Sequence, residues 1–375
     1  MKNETTKHYG REMEIISGKL TDIWLAVPSY CNLACSYCYA CGGEAVNVGN
    51  LLLWPEFERL LEQAALMGVK SVGIPGAGEP LLPRNRELTM KILQKCKELG
   101  LYMTLFTTGE FIDEKMAIEL SNFPLEIMLK CNTLDAKKQD QFVSDPVHGK
   151  IVHGYGEKRN RALGFLMGAG FNDSKLCQEK FGEKTTTRLS LVTSIMTDEK
   201  ELSNFDDMVE LLRFCRKNNI HLDCDDILTV GRGAGCELCT AEQKFREKVT
   251  ELCEIDHEEF GHDWEVSSGY IAGMVCGRYA YHLFVDQYGD IHPCIGAEKV
   301  VLGNIKTMSL REAWESPAMK IIRTRNYGGV CAQCLNFKEH KCNSCLGRRT
   351  KNLTTEKLLA SGEVETIGCW NCRRV

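Results

Sequence analysis

The chain has 375 residues, a formal net charge of −5 and a hydrophobic share of 43%. That length suits one large domain with a smaller one beside it, and the composition is enough for a sizeable core. There is no long run of like charge and no stretch near the roughly 20 apolar residues of a membrane span, so neither nucleic acid nor membrane is expected as a partner.

Residues 1–20 read as an N-terminal extension. From about Thr21 to Arg232, short apolar runs alternate with helical patterns. Strands are expected at Asp22–Val27, Ser71–Ile74, Tyr102–Phe106, Leu125–Leu129, Arg188–Ile195 and His221–Leu228. Helices are expected at Pro55–Met67, Arg86–Leu99, Glu114–Ser121, Lys158–Gly168 and Asn204–Lys217. In the first of these, Leu60, Leu61, Ala64 and Met67 fall on one face. Six strand–helix units predict parallel pairing and an α/β fold, a partial (β/α)6 barrel over residues 21–235, with its active site at the carboxyl ends of the strands. A connecting loop and helix follow over 236–275. Residues 276–375, where cysteines dominate and periodicity fades, read as a second domain stapled by clusters.

Twenty cysteines are the unusual feature. Met1–Arg11 is polar and charged, with no apolar segment after it, which predicts no secretion signal and a cytoplasmic location. In that setting many cysteines point to metal or cluster ligation rather than disulfides.

Directly after the first expected strand comes Pro28-Ser-Tyr-Cys31-Asn-Leu-Ala-Cys35-Ser-Tyr-Cys38-Tyr, a C-x3-C-x2-C spacing. Three thiolates on one tight loop can hold three irons of a cubane and leave the fourth open to another ligand. The alternative is a structural zinc loop, but zinc sites usually close with four ligands, often in C-x2-C pairs. The run, with Tyr37 just before its third cysteine, resembles the signature of the radical S-adenosylmethionine superfamily. The resemblance implies a [4Fe–4S] cluster on Cys31, Cys35 and Cys38. Its free iron would chelate S-adenosylmethionine, and one electron would yield a 5′-deoxyadenosyl radical. It also implies an electron donor of the flavodoxin or ferredoxin type.

Gly76-Ala-Gly78-Glu79-Pro80 follows the second strand and resembles the family's GGEP segment, departing from it at Ala77. By resemblance, Gly78 and Glu79 lie beside the methionine amino group, and Gly76 is a further cofactor-binding candidate. Thr108 ends the third strand, where relatives often carry Thr-Asn-Gly. Lys130-Cys131-Asn132-Thr133-Leu134-Asp135 looks like the family's Asn-Ser-Leu-Asp segment, which implies that Asn132 lies near the ribose. Ser190 on the fifth strand is a further cofactor-binding candidate. Each of these polar residues is equally open to reading as an ordinary turn or strand-end residue.

Eight cysteines fill the C-terminal region: Cys276-x12-Gly289-x4-Cys294, then Cys331-x2-Cys334, Cys342-x2-Cys345 and Cys369-x2-Cys372. They suffice for two four-thiolate clusters or for two zinc-ribbon sites. The opening C-x12-G-x4-C and the run Leu302–Trp314 resemble the SPASM domain, which implies two auxiliary [4Fe–4S] clusters. The middle departs from it, with C-x2-C-x7-C-x2-C where C-x2-C-x5-C-x3-C is usual. By analogy, Cys331, Cys334, Cys342 and Cys369 hold one cluster. Cys276, Cys294 and Cys345 hold the other, with Cys372 or an open site as the fourth ligand.

Cys41, Cys131 and Cys224 lie near strand ends and are candidate hydrogen donors to a substrate radical; burial in the core is the simpler reading for each. Cys236-x2-Cys239 is a further pair with no evident partners. Thirty residues precede Cys31, too few for the leader-binding domain that many peptide-modifying relatives carry. With Gly277 where sulfatase-maturing relatives place an Asp, and with the C-terminal run Cys342–Arg349 and then Cys369-Trp370, the expectation is a small polar substrate such as a sugar or aminocyclitol. Two-electron oxidation is the first expectation. Epimerisation, peptide maturation and a non-catalytic iron–sulfur or zinc protein are the alternatives.

Overall fold

The computed structural model describes residues 4–8, 11–15, 18–197, 202–228, 230–237, 242–262, 278–339, 344–350 and 352–367. Two strands, β1 (Glu4–His8) and β2 (Arg11–Ile15), pair as an antiparallel hairpin ahead of the main sheet. Then β3 (Asp22–Leu25), β4 (Ser71–Ile74), β5 (Tyr102–Thr107), β6 (Leu125–Lys130), β7 (Leu189–Ser194) and β8 (His221–Asp225) pair in chain order, all parallel. Every residue of β3 and β4 is buried, as expected of parallel strands covered on both faces.

The helices between them pack apolar stripes on the outer face. In α1 (Trp54–Leu66), Phe57, Leu60, Leu61 and Ala64 are buried, and Glu56 accepts the Leu53 N–H at the helix start. After α2 (Pro83–Glu98), α3 (Glu114–Ser121) is capped by Asp113, which accepts from Met116 N–H at 2.7 Å. Three short or medium helices, α4 (Ala136–Asp140), α5 (Tyr155–Gly168) and α6 (Ser174–Phe181), fill the long β6–β7 connection. In α7 (Asp207–Lys217) the buried residues are Met208, Leu211, Leu212 and Cys215, one side of a 3.6-residue period. The following α8 (Glu242–Phe260) packs on α7, where Arg216 forms a two-pronged ion pair with buried Asp256.

All six expected strands and all six expected helices exist, with shifted ends. The strand expected to run to Leu228 stops at Asp225, and the first stops at Leu25. In both cases the chain leaves the ladder to build the site. The β1–β2 hairpin, α4 and α6 were not expected; α4 and α6 are too short to show a hydrophobic period.

The sheet does not close. The edge of β3 pairs instead with β9 (His282–Val285), a strand from the cysteine-rich part of the chain, parallel and in register from Asp22↔His282 to Leu25↔Val285. Antiparallel β10 (Asp290–His292) and β11 (Gly303–Asn304) extend it to nine strands. The joint is bonded inside the barrel: Asp22 Oδ2 lies 2.6 Å from His282 Nδ1, and Ser71 Oγ donates to Asp22 Oδ1. Both Asp22 and His282 are buried. Further on, β12 (Tyr327–Gly328) and β13 (Val364–Thr366) make a small parallel pair. Among the described residues no helix is long and apolar enough to cross a membrane.

Candidate active site

The loop after β3 carries Cys31, Cys35 and Cys38, all half-buried. It is folded by its own backbone. Cys38 N–H donates to Cys35 O at 3.1 Å, while Leu33 N–H and Gly42 N–H donate to the sulfurs of Cys31 and Cys38, each at 3.4 Å. Arg232, from the turn after β8, clamps the loop from outside: its Nε donates to Cys35 O at 3.0 Å and its Nη2 to Gly42 O at 2.6 Å. Gly231 next to it has φ +55°, and a Cβ there would lie 2.1 Å from Tyr39 O.

Opposite the thiols stands the Gly76–Pro80 turn. Gly76 has φ +72°, a conformation suited to glycine. Gly78 packs so closely that a Cβ would meet Tyr30 O at 2.4 Å and Pro28 O at 2.6 Å. The buried Glu79 carboxylate is held by four donors. Thr107 Oγ1 (2.7 Å) and Leu81 N–H (3.0 Å) donate to one oxygen, and Thr108 N–H (2.7 Å) and Oγ1 (2.8 Å) to the other. Burial still raises its pKa against these donors.

These two segments line one cavity of about 350 Å³ at the carboxyl ends of the strands. Its far wall is charged. Lys130 ends β6, Asp223 and Asp225 end β8, Asp226 follows, and Arg278 lies 3.8 Å from the ring centre of Trp24 on the cavity floor. Lys130 Nζ donates to Ser194 Oγ at 3.1 Å and sits 4.8 Å from the Tyr37 ring centre; burial lowers its pKa to about 8. Burial, helped by the Asp225 charge, pushes Asp223 up to about 6, while Arg278 and Lys130 pull the other way. Cys294 and Cys345 line the same cavity from the C-terminal region.

The residue types fit an iron–sulfur group. Burial holds Cys31 and Cys35 in their protonated form: Cys35 is pushed up to about 11, and Cys31 is raised further, with the Glu79 charge adding to its shift. Only a nearby cation makes such thiols ligands, and a coordinated metal deprotonates them outright. The two N–H···S bonds are already aimed to stabilise thiolate. Among the described residues no three His, Cys, Asp or Glu side chains converge as around a single ion. A cubane needs no such point, since each thiolate binds its own iron.

Of the expected site residues, Cys31, Cys35, Cys38, Tyr37, Gly76, Gly78, Glu79 and Thr108 line the cavity. Asn132 does not. It is fully buried, its Nδ2 donating to Tyr37 Oη at 3.1 Å, so it positions that ring from behind. Ser190 lies deeper in the barrel and donates to buried Glu126 at 2.7 Å. None of the three hydrogen-donor candidates lines the cavity. Cys131 and Cys224 belong to the core on the helix side of the sheet, because the period-two alternation that turns Asp223 and Asp225 inward turns Cys224 outward. Cys41, at φ +51°, lies beside Glu44 and off the cavity. Cys276, Cys342, Cys369, Cys372 and Cys239 lie outside the described residues. Lys130, Ser194, Asp223, Asp225, Arg232 and Arg278 were missed as site residues. For the two β8 aspartates the signal was there, as acidic groups two apart at a strand's carboxyl end.

Two protein families match. The SPASM family, an iron–sulfur cluster-binding domain, matches residues 276–335, and a 4Fe-4S single cluster domain matches residues 18–134. Both matches fall where the sequence resembles the radical S-adenosylmethionine enzymes with a SPASM domain, one over the cysteine loop after β3 and one over the C-terminal cysteine region. Among curated relatives it is similar to a probable GTP 3′,8-cyclase of Pyrococcus horikoshii, 25% identical over 194 residues, 50% of this chain and 60% of that protein. It is also 29% identical over 136 residues to the GTP 3′,8-cyclase of Geobacter sulfurreducens, 35% of this chain and 40% of that one. The matches thus span less than two thirds of these relatives. Among solved structures, Streptococcus suis SuiB bound to precursor peptide SuiA has a TM-score of 0.67 at 18% identity, covering 95% of this chain and 76% of that one. Native anSMEcpe with bound AdoMet and a Kp18Cys peptide has a TM-score of 0.62 at 17% identity, covering 88% of this chain and 90% of that one. They establish the shared fold.

Proposed function

We propose that this chain reductively cleaves S-adenosylmethionine and uses the resulting 5′-deoxyadenosyl radical to abstract hydrogen from a small polar substrate, a sugar, aminocyclitol or similar molecule, giving a two-electron oxidation. The observation that carries the reading is that Cys31, Cys35 and Cys38 share one cavity with Cys294 and Cys345, across a wall of Lys130, Asp223, Asp225 and Arg278. Bound clusters and S-adenosylmethionine supply the electrons and the radical, and the chain supplies position and proton handling. Gly76 and Gly78 let backbone approach the cofactor, and Glu79 offers a fixed carboxylate to its amino group. Asp223, with a carboxyl near the working range of a general base, takes the proton that leaves with oxidation. The charged wall suits hydroxyl and amino groups, and the curated relatives are named for a small polar substrate, GTP.

Oxidation is favoured over epimerisation because, among the described residues, the only thiols lining the cavity are those assigned to clusters. A non-catalytic electron carrier would have no use for the Glu79 turn beside the thiols. A peptide substrate is the second reading, on the likeness to SuiB bound to SuiA.

The experiment is anaerobic reconstitution followed by incubation with S-adenosylmethionine and a flavodoxin or ferredoxin donor, scoring 5′-deoxyadenosine against a panel of amino sugars, aminocyclitols, nucleotides and peptides. Stimulation by a small polyol or amine supports the first reading. Stimulation by peptides alone favours the second.

A further inference from the structure

Tyr327 opens the β12–β13 pair. Its ring stacks on Phe337, with centroids 5.1 Å apart and planes at 19°. Arg325 fixes Phe337 in turn: its guanidinium carbon is 4.1 Å from that ring centre, and its Nη2 donates to Phe337 O at 2.6 Å. The phenol is therefore pinned, and it is 6% exposed. Its hydroxyl is buried and has no hydrogen-bond partner among the described residues. An unmet buried donor costs on the order of 1–3 kcal/mol, and native interiors seldom keep one without reason.

The groups around this hydroxyl supply the reason. The thiols of Cys294 and Cys345 are its leading charged neighbours, with Tyr279 and Arg325 beyond them. A phenol at neutral pH carries its proton and is a donor. The loops bearing the two cysteines touch through glycines: a Cβ on Gly347 would lie 2.9 Å from Gly296 Cα. Close backbone approach there brings Cys294 and Cys345 to the same cavity.

We propose that the Tyr327 hydroxyl donates a hydrogen bond to a sulfur of the auxiliary iron–sulfur centre held by Cys294 and Cys345, and thereby raises that centre's reduction potential. The inference rests on the assignment of those cysteines as cluster ligands. A donor at sulfur stabilises the more negatively charged reduced state, so its removal makes the centre harder to reduce.

The test is an EPR-monitored redox titration of the reconstituted full chain carrying Cys31→Ala, Cys35→Ala and Cys38→Ala, so that only auxiliary centres report. Adding Tyr327→Phe, which keeps the ring and its stacking, is expected to leave iron content unchanged. One auxiliary midpoint should move to more negative potential while the other stays in place. A companion with Cys294→Ala and Cys345→Ala should lose about four irons and that same signal. If it keeps all its iron and both signals, the ligand assignment fails. If it loses them and Tyr327→Phe leaves both midpoints in place, the hydroxyl inference alone is overturned. Should Tyr327→Phe lose its iron, the chain with Tyr327 intact decides. Pulsed EPR after exchange into D2O must show an exchangeable deuteron coupled to that centre, and its absence overturns the inference.

Discussion

Arg232 donates from Nε to the carbonyl of Cys35 across 3.0 Å, joining the turn after β8 to the loop after β3. The two segments are 197 positions apart in the chain. The open sheet leaves β3 and β8 unpaired with each other; this contact, Arg232 Nη2 to Gly42 O, Arg232 Nη1 to Glu44 and Gly233 N–H to Cys38 O hold the turn after the last barrel strand against the cysteine loop. Charged hydrogen bonds of this kind contribute roughly 1.5–3 kcal/mol each. Arg232→Ala should therefore loosen the loop rather than unfold the barrel. The expected outcome is normal secondary structure by circular dichroism with faster loss of iron from the reconstituted protein. Arg232→Lys should recover only part, since one ammonium does not reproduce a two-nitrogen fork.

Replacing Cys31, Cys35 and Cys38 together with Ala should remove about four irons per chain, from about twelve in the fully reconstituted protein. Formation of 5′-deoxyadenosine under dithionite should fall to background. Persistent 5′-deoxyadenosine in that variant would show that the radical chemistry does not start on this loop.

Gly78→Ala places a methyl group 2.4 Å from Tyr30 O and 2.6 Å from Pro28 O, both backbone atoms that cannot rotate away. Overpacking of this kind typically costs about 1–3 kcal/mol. The variant should melt several degrees lower and bind S-adenosylmethionine weakly by isothermal titration. Ala77→Gly at the neighbouring position, which restores the usual family residue, should leave both unchanged.

Asp223 gives a pH signature. Its carboxyl is raised from 3.8 to about 6, first by burial and then by Asp225. As a proton acceptor it works ionised, so turnover should fall as pH drops through about 6. Asp223→Asn should lower the rate by about 10²–10⁴-fold and flatten that limb of the profile. Stability runs the opposite way. The folded chain keeps this proton up to about pH 6, whereas the unfolded chain releases it near 3.8. The contribution is full below pH 3.8 and lost as pH rises through 6. Urea melts of Asp223→Asn at pH 4 and pH 7 should show a smaller loss over that interval than the parent chain does.

The parallel barrel was legible because its signals are local. Apolar runs at β3–β8 alternate with helices such as α7, whose Met208, Leu211, Leu212 and Cys215 spacing names its buried face. The cluster loop and the Gly76–Pro80 turn were legible because spacing and resemblance sit in a few consecutive residues. The β3–β9 joint was not. Asp22 and His282 are 260 positions apart, and His282–Val285 is four residues long, too short to separate from an ordinary apolar run. The face that Cys224 takes was not legible for a related reason. Proximity to a strand end does not say which face a side chain takes, and one position decides it: Asp223 and Asp225 point in and Cys224 points out. Arg232 and Arg278 carry no motif, and act through partners that only the folded chain supplies.

The reaction itself can be decided with solvent isotope. Hydrogen abstraction from a carbon bearing a hydroxyl leaves a carbon radical on the substrate. In oxidation, the hydroxyl proton leaves to a base such as Asp223 and one electron leaves to an auxiliary cluster, giving a ketone and one 5′-deoxyadenosine per product. No hydrogen from solvent ends on the reacting carbon. In epimerisation a thiol returns a hydrogen atom to the opposite face, and in D2O that atom is deuterium. Cys131 and Cys224 are buried in the core and Cys41 lies off the cavity, so none of them is placed to make that return. The expected product in D2O therefore carries no deuterium at the reacting carbon and is lighter by two hydrogens than the substrate. Cys41→Ala, Cys131→Ala and Cys224→Ala should each leave that outcome unchanged. A product of unchanged oxidation level with one deuterium by mass spectrometry would overturn the oxidation reading and point to a thiol donor outside the described residues.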